Sequence, residues 1–450
     1  MLSDSYKYSH YNQYPPKTEG IFSYMESRGG IYPKTVFFGL QYYLKEYLSK
    51  PITAADVLEA QEFARHHGIP FYNVGWAYIL RQHDGYLPLR IRAVREGSVI
   101  PTGNVLMTIE TTDIHCAWLV NWAETLLMKL WYPITVATKS YYTKQMMKKY
   151  WEKTSDNVAG IDFAFHNFGD RGSTSVEAAS IGGMAHLTSF AGTDNFNSTL
   201  ALKRYYGKLH GYSIPATEHS TITSWGRANE FAAISNHLET YKDSSIIACV
   251  MDSYNIYDAV SYITSGTMKD KIESVDYPTF VIRPDSGDPI RVIGDILRIM
   301  LTNGVAKTVN SKGYIVFNKY RIIWGDGIDA ATIDKILQYV TDLGYAADNF
   351  AFGSGGDLMQ KLDRDTCKFA IKCSAALVEG QWRDVYKDPI TDPGKKSKKG
   401  ILSLYLDDSG NYTTKEYTDN FSGVEQLWKV FENGKLLIED DFISIMGRIK

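Results

Sequence analysis

The chain has few cysteines. Four stand among 450 residues, at Cys116, Cys249, Cys367 and Cys373, and no two have the CxxC spacing of a redox or metal site. Three lie in apolar runs, so buried free thiols in a reducing compartment are expected and a disulfide framework is not. No Cys/His cluster has zinc-ligand spacing. Long apolar stretches are also missing: nothing approaches the ~18 residues a membrane helix needs. The opening residues, MLSDSYKYSHYNQYPP, lack the charged-then-apolar pattern of a signal peptide. A cytoplasmic location is therefore expected. A net charge of only −3 gives no global reason to expect nucleic acid or an anionic membrane as partner. Neither GxGxxG nor GxxxxGK[ST] occurs, which weighs against dinucleotide-fold and P-loop readings.

Aromatic residues are abundant, with 32 tyrosines, 19 phenylalanines and 9 tryptophans. Large cores and interfaces account for such numbers more readily than an aromatic cage. A hydrophobic content of 44% and a charged content of 22% describe an ordinary globular protein, and the length favours two domains.

Along the chain the pattern changes twice. Ile21–Arg28 alternates like a strand, and Leu87–Val94 with Val105–Thr112 reads as an antiparallel ribbon around a Gly/Pro turn. From Ala117 to Lys153 the spacing of Leu119, Trp122, Leu126, Leu127 and Leu130 is helical, with a break expected near Pro133. Short apolar runs then alternate with helical segments: 163–168, 191–194, 212–216, 245–251, 279–282, 321–324, 349–352 and 368–373. This rhythm, about the length of a β/α barrel, gives an α/β fold class. The architecture expected is a central β/α (TIM-like) barrel with a smaller α+β domain built from both chain ends. A doubly wound open sheet is the alternative. The tail returns to hairpins at Leu402–Tyr417 and Leu427–Ile438, the second turning at Asn433-Gly434. The divisions expected are an α+β domain with a helical connection over 1–155, a barrel over 156–376, and an antiparallel segment over 377–450 that packs with the N-terminal domain.

Four loops carry the chemistry: HNFGDRGS (His166–Ser173), RPDSGDP (Arg283–Pro289), WGDGID (Trp324–Asp329) and FGSGGD (Phe352–Asp357). Each follows a strand-like run and precedes a helix-like one, where a barrel places catalytic groups. Gly325, Gly327, Gly353, Gly355 and Gly356 clear side chains from where an oxyanion can approach the backbone. Tight strand-to-helix turns would use the same glycines. Arg283 offers a forked donor. Asp285 could hold sugar hydroxyls, a metal or developing positive charge, and Asp326 suits ribose hydroxyls. Phe168 could stack a planar ring and Arg171 meet a phosphate, although for Phe168 taken alone core packing is the favoured role. In PATEHSTITSWG, the Glu218-His219 pair could supply a base, a metal ligand or a phosphoryl acceptor. Asp252, Asp285 and Asp326 suit a hard ion such as Mg²⁺. The run Lys387–Gly400 carries Lys387, Lys395, Lys396, Lys398 and Lys399, which suits either a solvated loop or a lid over polyphosphate.

Taken in order, DSYKYSHYNQYPP, FFGLQYYL, WYPITVATKS, HNFGDRG, GTDN, IPATEHSTITSWG, DSYNIYD, IRPDSGDP, GDGID, FGSGGDLMQKL and KDPITDPGKKSKKG resemble the nicotinamide phosphoribosyltransferases, which are type II phosphoribosyltransferases. The resemblance runs from Asp4 to about Gly400. It implies transfer of the phosphoribosyl group of phosphoribosyl pyrophosphate to nicotinamide, in a homodimer with shared active sites. Nicotinate phosphoribosyltransferase, or a catalytically silent binding relative, is the alternative.

By the same resemblance, Phe168 and Tyr6 of the partner subunit would sandwich the pyridine. Asp194 would accept from the carboxamide NH₂ and Arg283 donate to its oxygen. Asp285 and Asp326 would hold the ribose. Gly325, Gly355, Gly356 and Arg171 would hold the 5′-phosphate. Arg28, Arg364, Lys372 and Lys387 would hold pyrophosphate, with Mg²⁺ near Asp252 and Asp285. His219 would be phosphorylated by ATP as co-substrate. The chain departs from the family pattern at Asp170, where tyrosine is common, at Asn167, where aspartate is, and at Ala370, which replaces a serine. After Arg28, GGIYPKT replaces a longer insertion.

Overall fold

The computed structural model describes residues 3–391, 396–417 and 423–449. It divides into two compact units. One comprises Lys139–Ala201 and Leu209–Lys361, the other Met1–Thr138, Leu202–Lys208 and Leu362–Lys450.

The first unit is built on five short strands: β1 (Phe165–Asn167), β2 (Ile246–Val250), β3 (Thr279–Arg283), β4 (Tyr320–Trp324) and β5 (Phe350–Ser354). They form one parallel sheet in the order β1-β5-β4-β3-β2. Their runs, such as IIACV and TFVIR, are almost wholly apolar because a parallel sheet is covered on both faces. On one face Ala248, Val281 and Ile323 form a buried cluster, packed by Ile214, Ala351 and Phe168. The strand-like runs at 191–194 and 212–216 contribute single parallel bridges, Asn167–Thr193, Gly192–Tyr212 and Ala216–Ala248, instead of full ladders. Pro215 has no N–H to give and Gly192 no side chain to pack, so neither run sustains a ladder. The fold is thus a mixed α/β architecture around a parallel half-barrel sheet.

Helices follow these strand ends as their caps dictate. Ser175, Asp288 and Asp329 each accept a backbone N–H of the first turn, starting the helices Val176–Leu187, Pro289–Thr302 and Ala330–Asp342. Pro289 stands at the first helical position, where its missing N–H costs nothing. Pro133 behaves likewise: the break lies at Lys129–Leu130, and Pro133 sits in the first turn of the helix Trp131–Thr154.

The second unit holds a seven-stranded antiparallel sheet that draws on both chain ends. Thr18–Ser27 pairs with Phe369–Val378 on one side and Val105–Thr111 on the other. Leu89–Ala93 pairs with Val105–Thr111 and with Trp428–Glu432. The run at 368–373 therefore belongs to this sheet and is not a further β/α strand. It continues into a hairpin with Gln381–Asp384, turned by Glu379 and Gly380 at φ 54° and 74°. The tail hairpin turns through Asn433 and Gly434, both with positive φ, as the type I′ signal requires.

Within this unit a buried acid ties distant segments together. Glu96, 4% exposed, accepts from the Gln41 backbone N–H at 2.7 Å and the Tyr206 hydroxyl at 2.8 Å. Asp440, beside it, is held by Arg95 and Arg448, and its N–H donates to Gln41 Oε1. Burial, helped by the Asp440 charge, pushes the Glu96 carboxyl from 4.5 up to about 7. Between those values the folded chain keeps a proton that the unfolded chain releases, so stability falls as pH rises through that window. Glu96→Gln removes this dependence. Relative to the parent, its unfolding free energy is expected to gain up to roughly 3 kcal/mol between about pH 5 and pH 8, measured by urea denaturation. A difference independent of pH would show that Glu96 is ionised throughout.

Candidate active site

The carboxyl ends of the parallel strands, with the loops that follow, wall a cavity of about 780 Å³. It is lined by Phe168, Asp170, Arg171, Asp194, Glu218, His219, Ser220, Arg283, Asp285, Gly325 and Asp326. A second, more apolar cavity of about 410 Å³ lies among the strands, lined by Ile214, Ala248, Val281, Ile323 and Ala351 among others. Phe168, Asp194 and Arg283 line both, so these three mark where the cavities meet.

Phe168 leaves β1 with its N–H bonded to Ser354 O at 2.9 Å. Its ring packs against Gly353 of β5, where a Cβ would come within 1.9 Å of it. Gly353 is thus a glycine for a steric reason that involves the ring and not an anion. The HNFGDRGS and FGSGGD loops meet backbone to backbone: a Cβ at Gly169 would stand 3.0 Å from Gly355 O. Gly355 and Gly356 open the short helix Gly356–Met359, and Gly356 faces open space. Beneath this turn Lys139 donates to Asp357 O at 2.7 Å and pairs with its carboxylate at 2.6 Å.

Asp194 is exposed and anchored by its N–H to Asn167 O, while one carboxylate oxygen accepts from the Ser213 hydroxyl at 2.5 Å. The other oxygen is available to a ligand. Arg283 has a buried Nε without a hydrogen-bond partner among the described residues, a donor that a ligand oxygen in the cavity could satisfy. Asp170 accepts from Asn197 Nδ2 at 3.0 and 3.2 Å, so the departure from tyrosine brings its own partner. Asn167 Oδ1 accepts from Gly169 N–H.

At the other side of the cavity, His219 begins a helical turn capped by Glu218. Its Nε2 lies 3.1 Å from Asp252 Oδ1. Asp252 Oδ2 accepts from the Asp285 N–H at 3.1 Å and from the Ser286 hydroxyl. With both oxygens engaged and only 7% of its side chain exposed, Asp252 fits an orienting group for His219 better than a metal ligand. Asp285 and Asp326 have no side-chain partner among the described residues, so they fit Mg²⁺ carried in by substrate oxygens, which needs only one or two protein carboxylates.

The remaining predicted residues lie in the second unit. Tyr6 is 58% exposed in the turn Ser5–Asn12. Arg28, Arg364, Lys372 and Lys387 converge there. The Lys372 ammonium is held below its usual range first by burial and then by the charges of Lys387, Arg28 and Arg364, opposed by Glu124. Such a cluster of cations is an anion site in waiting. The lysine run is not a free set of charges, however. Lys396 pairs with Asp388, Lys398 with Glu26 and Lys399 with Asp384, and Lys395 lies outside the described residues. The partners Ser213, Asn197 and Lys139 carry no sequence signal, since only the fold brings them to Asp194, Asp170 and Asp357.

Comparison with known proteins now adds to this geometry. Residues 163–435 match the nicotinate phosphoribosyltransferase (NAPRTase) family, and residues 1–91 match the nicotinamide phosphoribosyltransferase N-terminal domain. A nicotinamide phosphoribosyltransferase of Xanthomonas campestris pv. campestris is 48% identical over 447 residues, covering 98% of this chain and 95% of that protein. One from Acinetobacter baylyi is 29% identical, covering 99% and 96%. Two solved structures share the fold. The nicotinate-nucleotide pyrophosphorylase of Pyrococcus furiosus has TM-score 0.65, 14% identity and coverage of 100% and 93%. Human nicotinic acid phosphoribosyltransferase has TM-score 0.58, 13% identity and the same coverage.

The contact between Phe168 and Gly353 yields a test. A methyl group at 353 must push the ring into the cavity, so Gly353→Ala is expected to weaken binding of a planar heteroaromatic ligand by about tenfold or more, as measured by calorimetry. Unchanged affinity would mean that the ring does not set the ligand's plane.

Proposed function

The chain belongs to the nicotinate phosphoribosyltransferase family, and from that premise we propose how its residues join nicotinamide to the phosphoribosyl group of 5-phosphoribosyl 1-pyrophosphate. The chain is an enzyme of the pentosyltransferase class and makes nicotinamide mononucleotide and pyrophosphate for NAD biosynthesis. The observation that carries the residue assignments is the grouping of an aromatic face, a carboxylate and an arginine where the two cavities meet.

Nicotinamide stacks on Phe168. Asp194, turned by Ser213, accepts from the carboxamide NH₂, and Arg283 donates to its oxygen. A nicotinate carboxylate in that place would face Asp194 charge to charge, which favours the amide. Asp285 and Asp326 hold the ribose hydroxyls, and Arg171 with the backbone of Gly325, Gly355 and Gly356 holds the 5′-phosphate. Arg28, Arg364, Lys372 and Lys387 take the pyrophosphate. The pyridine nitrogen attacks C1 of the ribose as the C1–O bond to pyrophosphate breaks, and positive charge develops on the ring. Asp285 opposes that charge, and the cations stabilise the leaving group. Mg²⁺, when bound, neutralises pyrophosphate oxygens. Most of the remaining acceleration comes from alignment.

ATP coupling rests on His219. With its Nε2–H donated to Asp252, the Nδ1 lone pair can attack the γ-phosphorus of ATP, releasing ADP, while Asp252 stabilises the charged ring. We further infer that the isolated bridges at 167–193, 192–212 and 216–248 close the parallel sheet into a barrel. We also infer that the protein works in the cytoplasm as a homodimer, with Tyr6 of the partner subunit covering the second face of the pyridine. Four free thiols fit that compartment, and among the described residues no helix is long and apolar enough to cross a membrane.

Purified protein with nicotinamide, phosphoribosyl pyrophosphate and Mg²⁺ is expected to form nicotinamide mononucleotide; absence of product would refute the proposal. Asp194→Ser is expected to cut the preference for amide over acid by about tenfold or more in kcat/KM, whereas unchanged selectivity would remove Asp194 from that role. His219→Ala should keep basal turnover and lose stimulation by ATP, with acid-labile phosphate on the parent protein only. Mixing inactive Tyr6→Ala and Phe168→Ala chains should restore about a quarter of parental activity if the sites are shared across a twofold dimer, and none if each chain is self-sufficient.

A further inference from the structure

A group of potential ligands lies apart from this chemistry, in the unit that carries the antiparallel sheet. His83 Nε2 stands 2.8 Å from Asp113 Oδ2. Together with Cys116 Sγ, these donor atoms all lie within 4.8 Å of one another. The ligands come from two segments: His83 closes the helix Asn73–Gln82, while Asp113 and Cys116 stand three residues apart around the turn Ile114–Cys116 that follows the strand Val105–Thr111, a set without the Cys/His spacing of a zinc motif.

The three positions are held firmly. The chain after His83 turns through Asp84 at φ 51° and Gly85 at φ 80°. A Cβ at Gly85 would strike Ile52 O at 2.1 Å, and Ile52 N–H bonds back to Gly85 O at 2.8 Å. Asp113 caps its turn through the His115 N–H at 2.8 Å. Its backbone carbonyl accepts from the Thr111 hydroxyl at 2.9 Å. The Tyr78 hydroxyl donates to Asp113 Oδ2 at 3.0 Å, as an outer partner does for a ligating carboxylate. Cys116 is fully buried, and its thiol faces this carboxylate without a hydrogen-bond partner among the described residues. His83 and Asp113 keep 20% and 16% of their side chains exposed, so the cluster is closed on the thiol side and open to water on the other.

We propose that His83, Asp113 and Cys116 form a binding site for one borderline divalent transition metal, with Zn²⁺ as the expected occupant and water as fourth ligand. The donor set mixes one nitrogen, one oxygen and one sulfur, which suits Zn²⁺ and disfavours Mg²⁺ and Ca²⁺. Charge balances as well: an aspartate and a thiolate neutralise a dication, with imidazole neutral and the thiol proton released to solvent. Such a metal would pin the helix end to the strand end. It is independent of the phosphoribosyl transfer chemistry, none of whose residues it uses.

The test uses the full-length chain, stripped of metal and titrated with Co²⁺ and then Zn²⁺. One Co²⁺ per chain is expected, with a thiolate-to-cobalt charge-transfer band that one equivalent of Zn²⁺ abolishes. Zn²⁺ should also raise the thermal midpoint. Cys116→Ser should lose the band, and His83→Gln should lower Zn²⁺ affinity by about tenfold or more. If Cys116→Ser does not fold, His83→Gln decides alone, since its partly exposed side chain leaves the core intact. The proposal is overturned if less than one equivalent binds to the parent, if the band survives in Cys116→Ser, or if His83→Gln binds Zn²⁺ as the parent does. Any of these would leave a His–Asp hydrogen bond that only ties the helix end.

Discussion

The ring of Phe168 has a place only because residue 353 has no side chain. That close approach fixes the wall against which the rest of the site is arranged. The N–H of Phe168 bonds to the carbonyl of Ser354, one residue on, and Asn167, just before it, holds the backbone of Asp194. A single β-edge contact therefore sets the ring, the carboxylate opposite it and the loop that carries Arg171. Arg283 arrives from β3, two strands beyond β5 in the same sheet. The positions of these groups are thus properties of the sheet and not of flexible side chains.

Carboxylates, a histidine and the two arginines Arg171 and Arg283 line the larger cavity of the parallel-sheet unit, whereas in the antiparallel unit burial first, and then the charges of Lys387, Arg28 and Arg364, lower the Lys372 ammonium. On the proposed reading, Asp285 opposes the charge that forms on the pyridine and the cations receive the group that departs. Asp252, assigned on sequence to the metal, is spent on His219, Asp285 N–H and Ser286. The cavity carboxylates without a side-chain partner among the described residues are Asp285 and Asp326.

Much of this was legible in the sequence, and what was not has physical causes. The strand runs at 245–251, 279–282, 321–324 and 349–352 and the Asn433-Gly434 turn are local signals, and they appear where expected. The run at 368–373 was misplaced because a buried strand reads the same in a parallel or an antiparallel sheet; what decides is the Glu379-Gly380 turn that follows it. The helix break came near Pro133 as expected, at Lys129–Leu130, with Pro133 itself in the first turn of the next helix. Gly353 read as a phosphate glycine, although its partner is an aromatic ring that no local pattern could reveal. The supporting residues Ser213, Asn197, Ser286 and Lys139 are ordinary in sequence and acquire meaning only through contacts made by the fold.

The antiparallel sheet joins Thr18–Ser27 to Phe369–Val378, and Leu89–Ala93 to Trp428–Glu432. This has a consequence for synthesis. All of the parallel-sheet unit precedes residue 369 in the chain, so that unit can fold while the antiparallel unit waits. Until the C-terminal strands arrive, Thr18–Ser27 and Leu89–Ala93 each lack a neighbour and present open backbone edges. The chain must therefore carry an unfinished sheet through most of its own translation, and its last eighty or so residues act as the closing half of a domain begun at the first strand.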